Sequence, residues 1–316
     1  MGGVAEERDI SPFQQLRESL LDRAQPIAKR TRAAFYLRTM GTDEAVGAVG
    51  EGLLVEADSS LLRHELAYIL GQMQNEAACE TLEKVLRNTS DDCIVRHEAA
   101  EALGAIGAER SVPALERFVS DPAPEVSQTC VLALELIAWR RKQATSCSAT
   151  AGGRKSDANP YLSVDPAPSC GEGSEGEGDG EGTGTEEMGK KLRDKNRTLF
   201  ERYRRAMFSL RNRGGERAAL ELAAAFNGED NSLFKHEVAY VLGQMQHPAT
   251  VTALGTVLAD VGEHEMVRHE AAEALGAIGG SEAEELLKTF MEDDVAVVKE
   301  SCEIALDTMD YWSNRG

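Results

Sequence analysis

The chain has 316 residues, a formal net charge of −20 and an aromatic content of only 5%. That length accommodates two domains of ordinary size, and the charge disfavours nucleic acid and anionic membrane surfaces while favouring cationic partners or substrates. Frequent Ala, Leu, Glu and Gly suit close helix packing better than a β-sandwich.

The N-terminus, Met1-Gly-Gly-Val-Ala-Glu-Glu, is acidic and does not read as a signal or transit peptide. Glu6 stands where a myristoylation signal wants Ser or Thr. No apolar run approaches membrane-spanning length. The six cysteines, at 79, 93, 130, 147, 170 and 302, form no Cys-x-x-Cys pair. They read as reduced thiols of a soluble, cytoplasmic protein.

Along the chain the dominant signal is repetition. The segment Arg32-Ala-Ala-Phe-Tyr-Leu-Arg38 matches Arg205-Ala-Met-Phe-Ser-Leu-Arg211. Residues 60–71 match 232–243, and both runs continue Gln-Met-Gln. Thirteen residues, Val95–Gly107, recur unchanged at Val267–Gly279, and Val126–Leu134 matches Val298–Leu306. The last three matches share one offset of 172 residues, so a whole half was duplicated.

Within each half, His-Glu-x-Ala-x-x-Leu-Gly occurs twice, 33 residues apart: at 64–71 and 97–104, then at 236–243 and 269–276. A basic residue precedes each His: Arg63, Arg96, Lys235 and Arg268. Spacing of the apolar residues predicts helices. Ser60 and Ser232 are expected as N-caps, and Gly71, Gly104, Gly243 and Gly276 as C-terminal stops. Each half then holds about four helical hairpins, giving an all-α solenoid. The units resemble HEAT repeats, in the short variety also found in bilin-lyase-like repeats.

Three domains are expected: an N-terminal repeat domain over 1–140, a linker over 141–194 and a C-terminal repeat domain over 195–316. The linker is rich in Gly, Ser, Pro and Glu and lacks periodicity, so it is expected to be disordered. Its end-to-end distance is about 40 Å, enough for the halves to fold back on each other. It contains an acidic run from Glu172 to Glu187 and one less bland island, Asn159–Pro168, expected to dock on a domain.

The His-Glu pairs carry the chemistry. Gln128-Thr129 and Glu300-Ser301 replace them in the last unit of each half, and Arg32-Ala33-Ala34 and Arg205-Ala206-Met207 lack them. The pair is therefore not a requirement of the repeat, as a merely solvated helix face would leave it. Equivalent helices of adjacent repeats lie about 8–10 Å apart, so His64 can meet His97 and His236 can meet His269. Two imidazoles and a carboxylate per half form the set that suits non-haem iron and oxygen activation. Facing halves would then build one dinuclear centre, with metals about 3.5–4 Å apart.

The expected metal ligands are His64, His97, Glu98, His236, His269 and Glu270. Glu65 and Glu237 are expected just outside them, or as anchors for a cationic substrate group, with metal ligation as a further option. Ala67, Ala100, Ala239 and Ala272 are expected to leave room beside the site. His-Glu-x-x-His is absent, since Tyr68, Glu101, Tyr240 and Glu273 hold its last position, so a zincin protease is excluded. Glu-x-x-His, the di-iron bundle motif, is not met at these pairs. His247 and His264 have no counterpart in the other half and read as surface residues.

Taken together, two repeat halves, four His-Glu pairs and the Ser163–Pro168 stretch resemble the deoxyhypusine hydroxylase family. The resemblance spans nearly the whole chain except the N-terminal tail and the acidic run. It implies an O2-dependent monooxygenase with two Fe(2+) per chain and an external reductant. Its protein substrate would be the deoxyhypusine-bearing eukaryotic translation initiation factor. The four pairs carry over onto 64/65, 97/98, 236/237 and 269/270. Competing readings are a HEAT scaffold without catalysis, a chromophore lyase on the same repeats, and a hydrolase holding two zinc or manganese ions.

Overall fold

The computed structural model describes residues 10–55, 57–147, 159–169 and 183–313. The N-terminal tail and most of the acidic run lie outside them. The first half comprises α1 (Pro12–Leu21), α2 (Ile27–Met40), α3 (Asp43–Leu53), α4 (Ser60–Met73), α5 (Cys79–Arg87), α6 (Cys93–Ile106), α7 (Val112–Arg117) and α8 (Pro124–Cys147). The second comprises α9 (Thr183–Leu192), α10 (Leu199–Arg202), α11 (Phe208–Arg213), α12 (Gly215–Ala223), α13 (Ser232–Met245), α14 (Val251–Ala259), α15 (Glu265–Ile278), α16 (Ser281–Thr289) and α17 (Ala296–Ser313). No strand occurs among the described residues, and the architecture is the expected α-solenoid. Helices α8 and α9 extend into the interval 141–194. The second is the counterpart of α1, hidden in the sequence by its Gly- and Thr-rich start.

The α4, α6 and α8 helices pack side by side, as do α13, α15 and α17. The pattern glycines are what brings them close. They do not end their helices, as the sequence reading expected; each lies inside one and against the next. A Cβ on Gly71 would stand 2.8 Å from Ala102 Cα, and one on Gly104 would stand 2.7 Å from Ala133 Cβ. Gly243 meets Ala274, and Gly276 meets Ala305, in the same way. The helices end one or more residues later, in the left-handed conformation, at Gln74, Gly107 and Gln246. The N-caps also lie one residue earlier than expected: Ser59 accepts from Leu62 N and Asn231 from Phe234 N.

The basic residue before each His serves the repeat, not the site. Arg63 Nε donates to Leu53 O, ten residues back, while its guanidinium pairs with Asp91 at 2.6 Å. Arg96 does the same with Leu86 and Asp121, and Arg268 with Leu258 and Asp293. The outer units keep the device without the His: Arg30 with Leu20 and Asp58, Arg202 with Leu192 and Glu229. Lys235 pairs with Glu263. Each latch ties one helix to the end of the preceding helix and to the loop that enters the equivalent helix of the next repeat.

Arg30–Arg38 is one residue shorter than its counterpart Arg202–Arg211, and the extra residue is taken up as a π-helical turn, Tyr203–Met207.

The halves close on each other through their outer units. α2 packs on α17 and α10 on α8. Ser59 Oγ donates to Glu300 at 2.5 Å, and Asn231 Nδ2 donates to Gln128 at 2.9 Å. These contacts are equivalent under the duplication. The residues standing in for His in the outer units thus join the halves. His264 is not a simple surface residue: it caps α15 and lies 3.5 Å from Glu125 of the first half. His247 caps a short turn before α14.

The island at 159–169 docks on both halves. Gln72 exchanges two hydrogen bonds with the Val164 backbone. Arg211 grips Asp165 with both guanidinium nitrogens, at 2.8 and 2.6 Å, and stacks over Tyr161. Gln244 donates to Ser163 Oγ and to Tyr240 OH. Cys79, Cys93, Cys130 and Cys302 are free thiols, and burial pushes Cys130 and Cys302 up to about 12.

Removing one latch tests this account. Arg63→Ala leaves half-buried Asp91 without its partner and should cost about 1–3 kcal/mol in urea unfolding. Burial raises the Asp91 pKa, but the hydrogen bonds and charge of Arg63, the Asp92 backbone N–H and the charge of Arg96 together outweigh it and hold the group below 3.8. A depressed carboxylate stabilises above its unfolded value and loses that contribution as pH falls through the folded one. The Arg63→Ala deficit should therefore be full at neutral pH and shrink below pH 3.8. A deficit unchanged in acid would count against the latch.

Candidate metal and substrate site

His64 and Glu65 sit on α4, His97 and Glu98 on α6, His236 and Glu237 on α13, and His269 and Glu270 on α15. All eight side chains are buried. The close Gly–Ala packing brings the ring centroids of His64 and His97 to 5.4 Å, and of His236 and His269 to 5.5 Å. Contacts across the halves are as short: 5.1 Å for His64–His269 and 5.4 Å for His97–His236. The four imidazoles form one cluster shared by both halves.

Donor atoms group in sets whose members lie within 4.8 Å: His64, His97 and His236; His236, His269 and Glu270; His97, Glu98 and Glu101. His64 Nε2 lies 3.4 Å from Glu98 and His236 Nε2 lies 3.3 Å from Glu270. Within hydrogen-bonding geometry, both ring nitrogens of His97, His236 and His269 lack a partner, as do His64 Nε2 and Glu237 Oε1. Buried polar atoms without partners are costly and rare in native proteins. Seven orphaned imidazole nitrogens facing carboxylates fit a bound cation.

The electrostatics agree. Burial, and then neighbouring imidazoles, hold His97, His236 and His269 well below the usual imidazole range, so each keeps a free lone pair. Burial also pushes His64 down, but its hydrogen bond to Glu65 and the nearby carboxylate of Glu98 together more than offset it and raise the group. Burial raises the carboxyls of Glu237 and Glu270, and the adjacent Glu101 and Glu273 raise them further.

A cavity of about 300 Å³ opens onto the cluster. His64, His236 and six carboxylates line it: Glu65, Glu98, Glu101, Glu237, Glu270 and Glu273. The sequence reading missed Glu101 and Glu273, noting them only as the reason a zincin motif fails. Their spacing of four from His97 and His269 was the available signal, since it puts them on the same helix face. It also missed Tyr68 and Tyr240, whose hydroxyls meet at 2.9 Å at the cavity wall. Ala67, Ala100, Ala239 and Ala272 do not open the site; they are fully buried in helix packing, and Ala274 and Ala277 line the cavity instead.

Fold and site together define a two-half α-solenoid enclosing a His/Glu centre able to hold metal. Models of HEAT repeats match residues 86–149 and 208–307, and the PBS lyase HEAT-like repeat matches 62–88. The chain is 44% identical to deoxyhypusine hydroxylase of Homo sapiens over 94% of its length and 91% of that protein. For the Drosophila melanogaster enzyme the identity is 44%, over 92% and 89%. The solved structure of human deoxyhypusine hydroxylase in complex with glycerol superposes with a TM-score of 0.84, covering 95% of this chain and 96% of that one. The chain belongs to the deoxyhypusine hydroxylase family and is a hydroxylase. No helix among the described residues is long and apolar enough to cross a membrane.

A ligand that binds only the folded protein stabilises it by mass action, by about 2.7 kcal/mol at one hundred times its Kd. Ferrous iron added anaerobically to metal-free protein should therefore raise Tm, and His269→Ala should lose most of that rise. An equal rise in the variant would remove His269 from the ligand set.

Proposed function

We propose that the protein hydroxylates the deoxyhypusine side chain of the eukaryotic translation initiation factor, using O2 and two iron ions held between its halves. The observation that carries this is the set of orphaned buried imidazole nitrogens facing carboxylates in one cavity. His64, His97, Glu98, His236, His269 and Glu270 would hold the metals. Once bound, the iron pair supplies the oxidant for an unactivated carbon, which side chains cannot.

The protein's own residues do the rest. The neutral imidazoles of His97, His236 and His269 present lone pairs without first losing a proton. Glu65, whose Oε1 lies 3.1 Å from His64 Nδ1, orients that ring. Glu65 and Glu237 stand beside the cluster, where the substrate's ammonium groups would be held. Closure of the halves keeps bulk water from the reacting carbon. One oxygen atom enters the C–H bond; the other leaves as water, with two electrons from an external reductant and two protons from solvent. Free thiols are consistent with a reducing cytoplasm.

Iron analysis and hydroxylation of the deoxyhypusine-bearing factor test the reading on wild type and His97→Ala. Wild type should carry two iron ions per chain and turn over with a supplied reductant. His97→Ala should lose iron and at least about 100-fold in activity, as the loss of a principal catalytic interaction predicts. A folded wild-type protein that binds no iron, or a fully active zinc form, would sink it.

A further inference from the structure

The duplicated site is symmetric, but its substrate arm is not. Deoxyhypusine is a lysine extended by an aminobutyl group, with a secondary amine inside the arm and a primary amine at its tip. Both are protonated at neutral pH. A cavity with two equivalent ends would accept that arm in either direction and would present different carbons to the metals.

Four of the cavity's carboxylates lie outside the six expected metal ligands. They fall into two pairs, each spanning both halves and related by the duplication: Glu65 with Glu273, and Glu237 with Glu101. Members of a pair act on each other electrostatically. The pairs are not equally satisfied. In the first, Glu65 is held by His64 at 3.1 Å. Glu273 accepts from Ser301 Oγ at 3.1 Å and lies 3.5 Å from His269 Nδ1. In the second, Glu237 Oε1 is buried without a partner in a residue only 2% exposed. Glu101 accepts no hydrogen bond from any described residue. The counterpart of Ser301 is Thr129, and its buried hydroxyl makes no bond at all. Arg211, the cation acting on Glu237, is committed to Asp165.

The buried, unpartnered carboxylate of Glu237, beside a half-buried Glu101 that also accepts no hydrogen bond, calls for a cation. Resting on the function proposed above, we infer that Glu101 is a specificity residue: with Glu237 it receives the arm's terminal ammonium, and its twin Glu273 does not. Glu273 instead steadies His269. The unequal partners of two otherwise equivalent pairs fix the direction of the arm.

The test uses full-length, iron-loaded protein and two forms of the protein substrate. One carries deoxyhypusine; the other carries a butyl-lysine arm that lacks the terminal amine. Wild type should bind the first more tightly. In E101Q that preference should fall about 10- to 100-fold, as loss of a charged hydrogen bond predicts. The effect should appear in KM, with iron content unchanged. E273Q should keep the wild-type preference. If E101Q does not fold, E101D and E273D replace the pair, and only E101D should lose preference. Equal preferences in the two variants of either pair would overturn the inference. A wild type that fails to bind the deoxyhypusine form would instead overturn the functional reading beneath it.

Discussion

The contact between a glycine and an alanine of neighbouring repeats sets the distances on which the site depends. Gly71, Gly104, Gly243 and Gly276 lie about two helical turns along from His64, His97, His236 and His269, on the same face. Each lets the next helix approach until a Cβ would collide with it. An imidazole reaches only a few ångströms beyond its helix. Wider spacing would separate the rings within each half, and no arrangement of the halves would restore them. The same constraint explains why the flanking alanines are buried in packing and not open to the cavity: small residues here serve helix approach.

That approach concentrates charge in a small volume, and the fold answers it in two different ways. Toward the loops, the repeats of Arg30, Arg63, Arg96, Arg202 and Arg268 each neutralise a buried or part-buried acid with a guanidinium that is also fixed to a carbonyl ten residues back. Those acids are held below their ordinary values. Toward the cavity, carboxylates and imidazoles meet with no such counter-ion, and burial drives both types toward their neutral forms. One side of the helix row spends its arginines on stability; the other leaves its donor atoms open. A bound cation is what would balance the second side, and removing the arginine latches would not create it.

Most of this was legible in the sequence, because duplication is a pattern that needs no structure to see. The offset between halves, the helical hairpins and the His-Glu pairs all follow from repetition and helical spacing. Four things were not. The role of the pattern glycine was misjudged because Gly near a helix end usually terminates it, and only the neighbouring helix shows that these positions need space. The basic residue before each His had no visible partner, since Asp91 and Asp121 lie 28 and 25 residues downstream of Arg63 and Arg96. Glu101 and Glu273 were legible in position but not in role, because a helix face does not say which cavity it meets. α9 was hidden because its first turn shares the composition of the segment before it.

Pseudo-symmetry is what the duplicated scaffold offers, and the structure departs from it at a few named places. Gln72 grips the backbone of the docked island, whereas its twin Gln244 reaches a serine of that island and the hydroxyl of Tyr240. Thus only one of the two cavity tyrosines is fixed from behind. The π-helical turn at Tyr203–Met207 occurs in the second half, and the first half is regular there. Ser301 holds a glutamate that Thr129 leaves alone. A single strand of chain cannot lie on a twofold axis without breaking it, so docking the island necessarily makes the halves unequal. On the function proposed above, two metals of similar ligation would need the symmetry, and one substrate arm with distinct ends would need its loss. Both would be met where closely similar helices carry the His-Glu pairs and the differences lie in the residues around them.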